Sequence, residues 1–192
     1  MFRHSGTGCA RPRCVGMADP MQLSSRDPES DLVRVVIDTP AGSRNKYKFD
    51  PELGLFKISR ILPVGMSFPF DFGSIPRTMA EDGDALDVLV LTDAPLFVGC
   101  LVHVRLIGVI RATQTERGKS IRNDRLVASI ETPVNEARYR ELREVPRDTV
   151  REIEHFFRSY NEAQGRPFRV TGRGGAKAAE QVLKRASRSG PG

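Results

Sequence analysis

Between Glu81 and Asp87 the chain reads Glu81-Asp82-Gly83-Asp84-Ala85-Leu86-Asp87, four acids in seven residues, and the apolar run Val88-Leu89-Val90-Leu91 follows at once. Carboxylates gathered at the entrance of a buried strand repel one another unless a cation neutralises them, and hard oxygen donors suit Mg²⁺ or Mn²⁺. Asp82 and Asp84 point the same way in an extended chain, while Gly83 lets the backbone turn tightly between them. An acidic turn ahead of a strand is the bland alternative. A Ca²⁺-binding EF-hand loop is excluded, because Leu86 and Asp87 stand where it needs an Asp or Asn and then a Gly. Upstream lie Lys46, Lys48 and Arg60. Carboxylates for metals and Lys/Arg for an anion between them make up the donor set of two-metal phosphoryl chemistry.

The elements that position these residues are mostly extended. Leu32–Ile37 is a β-branched run, Lys46–Phe49 and Leu55–Ser59 alternate, and Pro40-Ala-Gly-Ser and Pro51-Glu-Leu-Gly supply turns. Val88–Leu91, Leu101–Ile110 and Arg125–Ile130 are apolar enough for interior strands, so the middle of the chain reads as a compact β-barrel or curled sheet. Helices come late. Val150, Ile153, Phe157 and Tyr160 recur at helical spacing, with Asp148 placed to cap and Gly165 to end the helix; a second runs from about Lys177 to Arg185 with Ala179, Val182, Leu183 and Ala186 inward. The class is α+β, mainly β, with helices packed outside a barrel.

At 192 residues the chain suits one domain, expected over 31–186, after a disordered N-terminal segment at 1–30 and before a flexible tail at 187–192. The net charge of +6 sits in residues 164–192, where seven Lys/Arg face Glu180 alone. That is a solvated basic helix rather than a nucleic-acid surface, since no aromatic residues are interleaved for stacking. Cys9, Cys14 and Cys100 form neither a disulfide framework nor a zinc motif, and no stretch resembles a signal or membrane segment. A cytoplasmic protein without membrane partners is expected.

The segment Asp82-Gly83-Asp84-Ala85-Leu86-Asp87-Val88-Leu89-Val90 resembles the D-G-D-P-x-D-V-L-V signature of the family I soluble inorganic pyrophosphatases, with Ala85 where proline is usual. The likeness extends to Ile37-Asp38-Thr39-Pro40, Lys46-Tyr47, Leu55-Phe56 with Arg60, Phe68-Pro69-Phe70-Asp71-Phe72-Gly73, Gly108-Val109, and His155-Phe156-Phe157 with Tyr160. It covers roughly 32–185. The resemblance implies an OB-type closed β-barrel with C-terminal helices packed outside, Mg²⁺-dependent hydrolysis of inorganic pyrophosphate (Mn²⁺ as a substitute), and, as in bacterial members, a homohexamer. Two alternatives stay open: a divergent relative acting on another phosphoanhydride or only binding phosphate, and an OB-type nucleic-acid-binding module.

By position, the resemblance makes Asp82, Asp84 and Asp87 metal ligands, Asp84 also the acceptor of the attacking water's proton, and Lys46, Arg60, Arg125 and Tyr160 holders of phosphate oxygens. Arg125 stands where lysine is usual and Asp38 where glutamate is common. Lys48 replaces an acid, Phe68 and Phe72 replace tyrosines, and Asn161 replaces a lysine. The second acidic pair falls on Gln114 and Asn123, both neutral. Glu116 and Asp124 lie one or two residues away and are expected to take over as metal ligands if the long polar loop Thr113–Asn123 folds back over the site.

Overall fold

The structure is a computed structural model describing residues 19–116, 118–132 and 134–189. Its strands are β1 (Val33–Thr39), β2 (Asn45–Asp50), β3 (Leu55–Ile61), β4 (Asp71–Ser74), β5 (Asp87–Leu91), β6 (Leu101–Glu116), β7 (Lys119–Arg122), β8 (Arg125–Ile130) and β9 (Phe168–Gly175). The helices are α1 (Arg147–Glu162) and α2 (Ala176–Ser189), with short 3-10 turns at Pro20–Gln22 and Leu142–Glu144.

The main sheet closes on itself. β1 pairs with β4, β4 with β5, β5 with β8, β8 with β6, and β6 returns to β1, giving a five-stranded ring in which only the β5–β8 pair is parallel. β6 is the hub, and at 16 residues it is long enough to extend beyond the ring and pair with β7 and β9 as well. β2 and β3 form a separate hairpin.

Continuous apolar strands fit this closure because both of their faces are buried. Val88, Val90, Leu126 and Ala128 pack in one cluster with Val33, Val35 and Ile37 and with Ala179, Val182, Leu183 and Ala186 of α2. Leu89, Leu91 and Val127 point the other way, against Phe68, Phe72 and the apolar face of α1, Val150, Ile153, Phe157 and Tyr160. The inward positions expected for both helices are therefore the buried ones.

Several expectations are corrected. Asp148 does not cap α1: Pro146 holds the cap position, and Asp148 lies in the first turn, 3.0 Å from Arg151. Gly165 does end the helix. At φ +66° it lets its own N–H reach Glu162 O (2.9 Å) and Arg166 N–H reach Asn161 O (3.1 Å), a Schellman closure. The Thr113–Asn123 segment is a β6–β7 hairpin in place of a polar loop.

Residues 1–18 lie outside the described part, but 19–30 are packed on the domain. Arg26 pairs with Glu180 of α2, and Asp27 takes Arg34 Nη2 at 2.7 Å with His103 Nε2 at 3.5 Å. Ser30, through its backbone N–H above all, holds the Asp27 carboxyl well below the usual range. At the other end α2 continues to Ser189, past the expected boundary.

Candidate active site

Sheet register brings the charged residues together. In the parallel β5–β8 pair Val88 lies beside Leu126, so the residues just before them, Asp87 and Arg125, open their strands side by side and form an ion pair. Across the antiparallel β4–β5 pair Ser74 lies opposite Asp87, and Ser74 Oγ donates to Asp38 Oδ2 at 2.6 Å from the far side of β4. Tyr47 N–H reaches Thr39 Oγ1 at 3.3 Å, which lays β2 along β1 and carries Lys46 and Lys48 over the same edge.

The acidic loop before β5 is held by its own backbone. Ala80 N–H bonds Asp84 O (2.8 Å), Gly83 N–H bonds Ala80 O (3.1 Å), and Asp84 N–H reaches Asp82 Oδ1 (3.2 Å). Gly83 adopts φ +85°, the left-handed conformation that glycine tolerates best. Asp82 and Asp84 stay exposed on this turn, and Asp84 Oδ1 accepts from Lys48 Nζ at 2.6 Å. That contact, followed by the surrounding carboxylates, raises the Lys48 pKa.

These residues line one cavity of about 240 Å³, with Asp38, Lys46, Lys48, Ser74, Asp84 and Asp87 on its walls. Asp38 is buried, only 7% exposed, and burial above all pushes its carboxyl up to about 7, with the charge of Asp87 adding to the effect. Lys46 Nζ sits 5.1 Å above the Phe72 ring and 5.7 Å from that of Tyr160, so two aromatic faces hold the ammonium. Arg125 stacks 5.2 Å over Phe157 and is buried, and its Nε has no hydrogen-bond partner among the described residues. Arg60 pairs in register with Lys46 across the β2–β3 hairpin and is exposed.

Glu116 and Asp124 are placed elsewhere. Asp124 lies in the link between β7 and β8; its carboxylate takes Arg122 Nη2 at 2.6 Å and accepts from the Ala112 N–H at 3.3 Å, beside a cleft lined by Arg111, Arg122 and Arg185. Glu116 pairs with Arg166 at 3.1 Å. Gln114 and Asn123 are buried, and Asn123 Nδ2 donates to Gln114 Oε1 at 2.8 Å.

Among the described residues no three acidic, His or Cys side chains converge on a metal position. Asp84 and Asp87 are each turned to a cation. The donor chemistry nonetheless suits a hard divalent ion: Asp82, Asp84 and Asp87 offer only oxygen, and the two of them on the exposed turn can reorient by side-chain rotation.

Sequence reading missed several contributors. Asp19, Met21 and Gln22 line the same cavity, and the Asp19-Pro20 pair was their signal: Asp19 caps the 3-10 turn at Pro20–Gln22 through a 2.8 Å bond from Met21 N–H. Ser74 has no sequence signature, since its role comes from strand register. Asp71 is fully buried and holds three segments together, accepting from Ala41 N–H (3.0 Å), Leu96 N–H (3.0 Å) and Thr92 Oγ1 (2.8 Å).

A family model described as inorganic pyrophosphatase matches residues 35–189. The inorganic pyrophosphatase of Thermus thermophilus is 36% identical over 171 residues, covering 88% of this chain and 95% of that protein. The one from Geobacillus stearothermophilus is 35% identical over 158 residues, covering 81% and 92%. The crystal structure of the T. thermophilus protein matches with a TM-score of 0.80 at 32% identity, over 90% of this chain and 98% of the other. That of the Neisseria gonorrhoeae inorganic pyrophosphatase gives 0.77 at 31%, over 87% and 95%. The closed ring, the acidic turn at its edge and these matches along nearly the whole domain have one explanation: the chain belongs to the inorganic pyrophosphatase family.

Proposed function

We propose that this chain hydrolyses inorganic pyrophosphate to two phosphates with the help of a divalent cation, Mg²⁺ by preference and Mn²⁺ as a substitute. The observation that carries the reading is the meeting of Asp38, Asp84 and Asp87 with Lys46 and Lys48 in one small cavity, in a chain of this family. A multiply charged phosphoanhydride needs cationic partners on its oxygens and an acceptor for the water's proton in one place.

In this reading Asp82, Asp84 and Asp87 hold the metal ion, whose chemistry is to neutralise phosphate charge and acidify water. Lys46, steadied by Phe72 and Tyr160, and Arg125, fixed by Asp87 and Phe157, orient phosphate oxygens. Arg60 and the Tyr160 hydroxyl are further candidates for phosphate contacts. Asp84 accepts the proton of the attacking water, which fits an exposed carboxylate paired with an exposed lysine.

Glu116 and Asp124 do not line this cavity, and in this reading they take no part in it. The buried Gln114–Asn123 pair favours a second reading, a relative with altered metal use acting on another phosphoanhydride. Purified protein incubated with pyrophosphate and Mg²⁺ should release two phosphates per molecule, and EDTA should abolish release. Release from other phosphoanhydrides but not from pyrophosphate would select the second reading.

We also place the protein in the cytoplasm as a homo-oligomer, a hexamer by resemblance. Among the described residues no helix is long and apolar enough to cross a membrane. Leu53, Leu55, Ile58, Ile61 and Val64 are exposed on and beside the β2–β3 hairpin, an apolar strip suited to contact with another copy. Light scattering on purified protein tests the assembly.

A further inference from the structure

The acidic turn comes with its own cation. Lys48 Nζ lies 2.6 Å from Asp84 Oδ1, and the two side chains are 58% and 61% exposed. An ion pair in that setting is weak and opens easily. Lys48 lines the same cavity as Lys46, Asp38 and Asp87, so an ammonium that lets go of Asp84 stays within reach of whatever the cavity holds. The contrast with Asp87 is informative. Asp87 is bound by a buried arginine that is itself stacked on an aromatic ring, whereas Asp84 is bound by a flexible four-carbon stem at the surface.

We propose that Lys48 is a displaceable cation of this site: it competes with a divalent ion for Asp84, and once displaced it adds a cationic contact to the substrate's phosphate oxygens. The second half rests on the pyrophosphatase reading of the same cavity; the first half does not. The consequence is a pair of effects of opposite sign from one side chain. A displaced ammonium that stays in the cavity about 5 Å from the divalent ion repels it, even at the dielectric of water, enough to weaken ion binding roughly tenfold. A lost charge-assisted contact to phosphate weakens substrate binding by about the same factor. A lysine that merely supports the fold would move both affinities in the same direction.

The test is calorimetric titration of the full chain, first with Mg²⁺ or Mn²⁺ alone, then with imidodiphosphate, a non-hydrolysable pyrophosphate analogue, at saturating metal. Lys48→Gln should bind the metal about tenfold more tightly than the parent and the analogue about tenfold more weakly. Lys48→Arg, which keeps the charge, should stay close to the parent in both. Lys57→Gln removes an equal charge from the neighbouring strand, where Lys57 pairs with Asp50 at 2.6 Å outside the cavity, and should change metal affinity less than twofold. Unchanged metal affinity in Lys48→Gln, or both affinities moving the same way, overturns the proposal. Phosphate release from pyrophosphate is measured separately. Its absence refutes the pyrophosphatase reading, while the metal titrations still decide whether Lys48 competes for Asp84.

Discussion

Asp38 offers a direct measurement of what the site costs the fold. Its carboxyl is buried beside Asp87, and burial pushes its pKa from 3.8 to about 7. A carboxyl whose folded pKa lies above its unfolded one favours folding only while it keeps its proton. Its contribution is intact below about pH 4 and is lost as pH rises through about 7. A gap of that size corresponds to an upper bound of about 4 kcal/mol at pH 8, and local relaxation and water entry reduce it to roughly 2–4 kcal/mol. Asp38→Asn keeps the shape and an oxygen for the Ser74 hydroxyl while removing the ionisation. Thermal melts of both proteins in EDTA, from pH 4 to pH 8, should converge at pH 4. At pH 8 the variant should melt on the order of 10 °C higher. Other titrating groups are common to both proteins, so the difference isolates Asp38. A difference independent of pH, or a variant less stable at pH 8, would refute the reasoning.

Further outcomes follow from the same geometry. Asp84→Asn should lower pyrophosphate turnover at least ~100-fold with an unchanged melting curve, since Asp84 is exposed and carries no part of the core; near-normal rates would remove it as the proton acceptor. Gln114→Asp with Asn123→Asp puts two carboxylates where a buried amide pair now bonds at 2.8 Å. The double variant should melt lower in EDTA and recover more than the parent does on adding Mg²⁺, whereas Glu116→Gln and Asp124→Asn should leave the half-activating Mg²⁺ concentration unchanged. Deleting residues 1–30 should lower the melting temperature by several degrees, because Arg26 and Asp27 are tied to Glu180 and Arg34; an unchanged melt would show those contacts to be worth nothing. Gly73→Ala should destabilise by about 1–3 kcal/mol in chemical denaturation, since a Cβ there would run into Val36 O and lie 2.8 Å from Val35 Cγ1.

Local pattern along the chain accounts for the elements themselves. Runs such as Val88–Leu91 and Leu126–Ala128, buried on both faces, are apolar at every position and declare themselves as interior strands. The spacing of Val150, Ile153, Phe157 and Tyr160 is that of a helix face, and Gly165 marks its end because few other residues accept a positive φ. The acidic turn and its lysines were visible as charges in unusual company. Which of those charges meet depends on pairing between distant segments. β9, with its glycines and alternately exposed side chains, has no apolar run of its own and exists as a strand because β6 extends far enough to pair with it. Asp87 meets Arg125, and Asp38 meets Ser74, through register between strands distant in sequence, which no local pattern encodes. The fate of the two amides and their acidic neighbours was settled the same way. Asn123 and Asp124 sit side by side in the short link between β7 and β8, yet Asn123 bonds Gln114 while Asp124 turns to Arg122 and the Ala112 N–H, contacts set by how that link lies against β6.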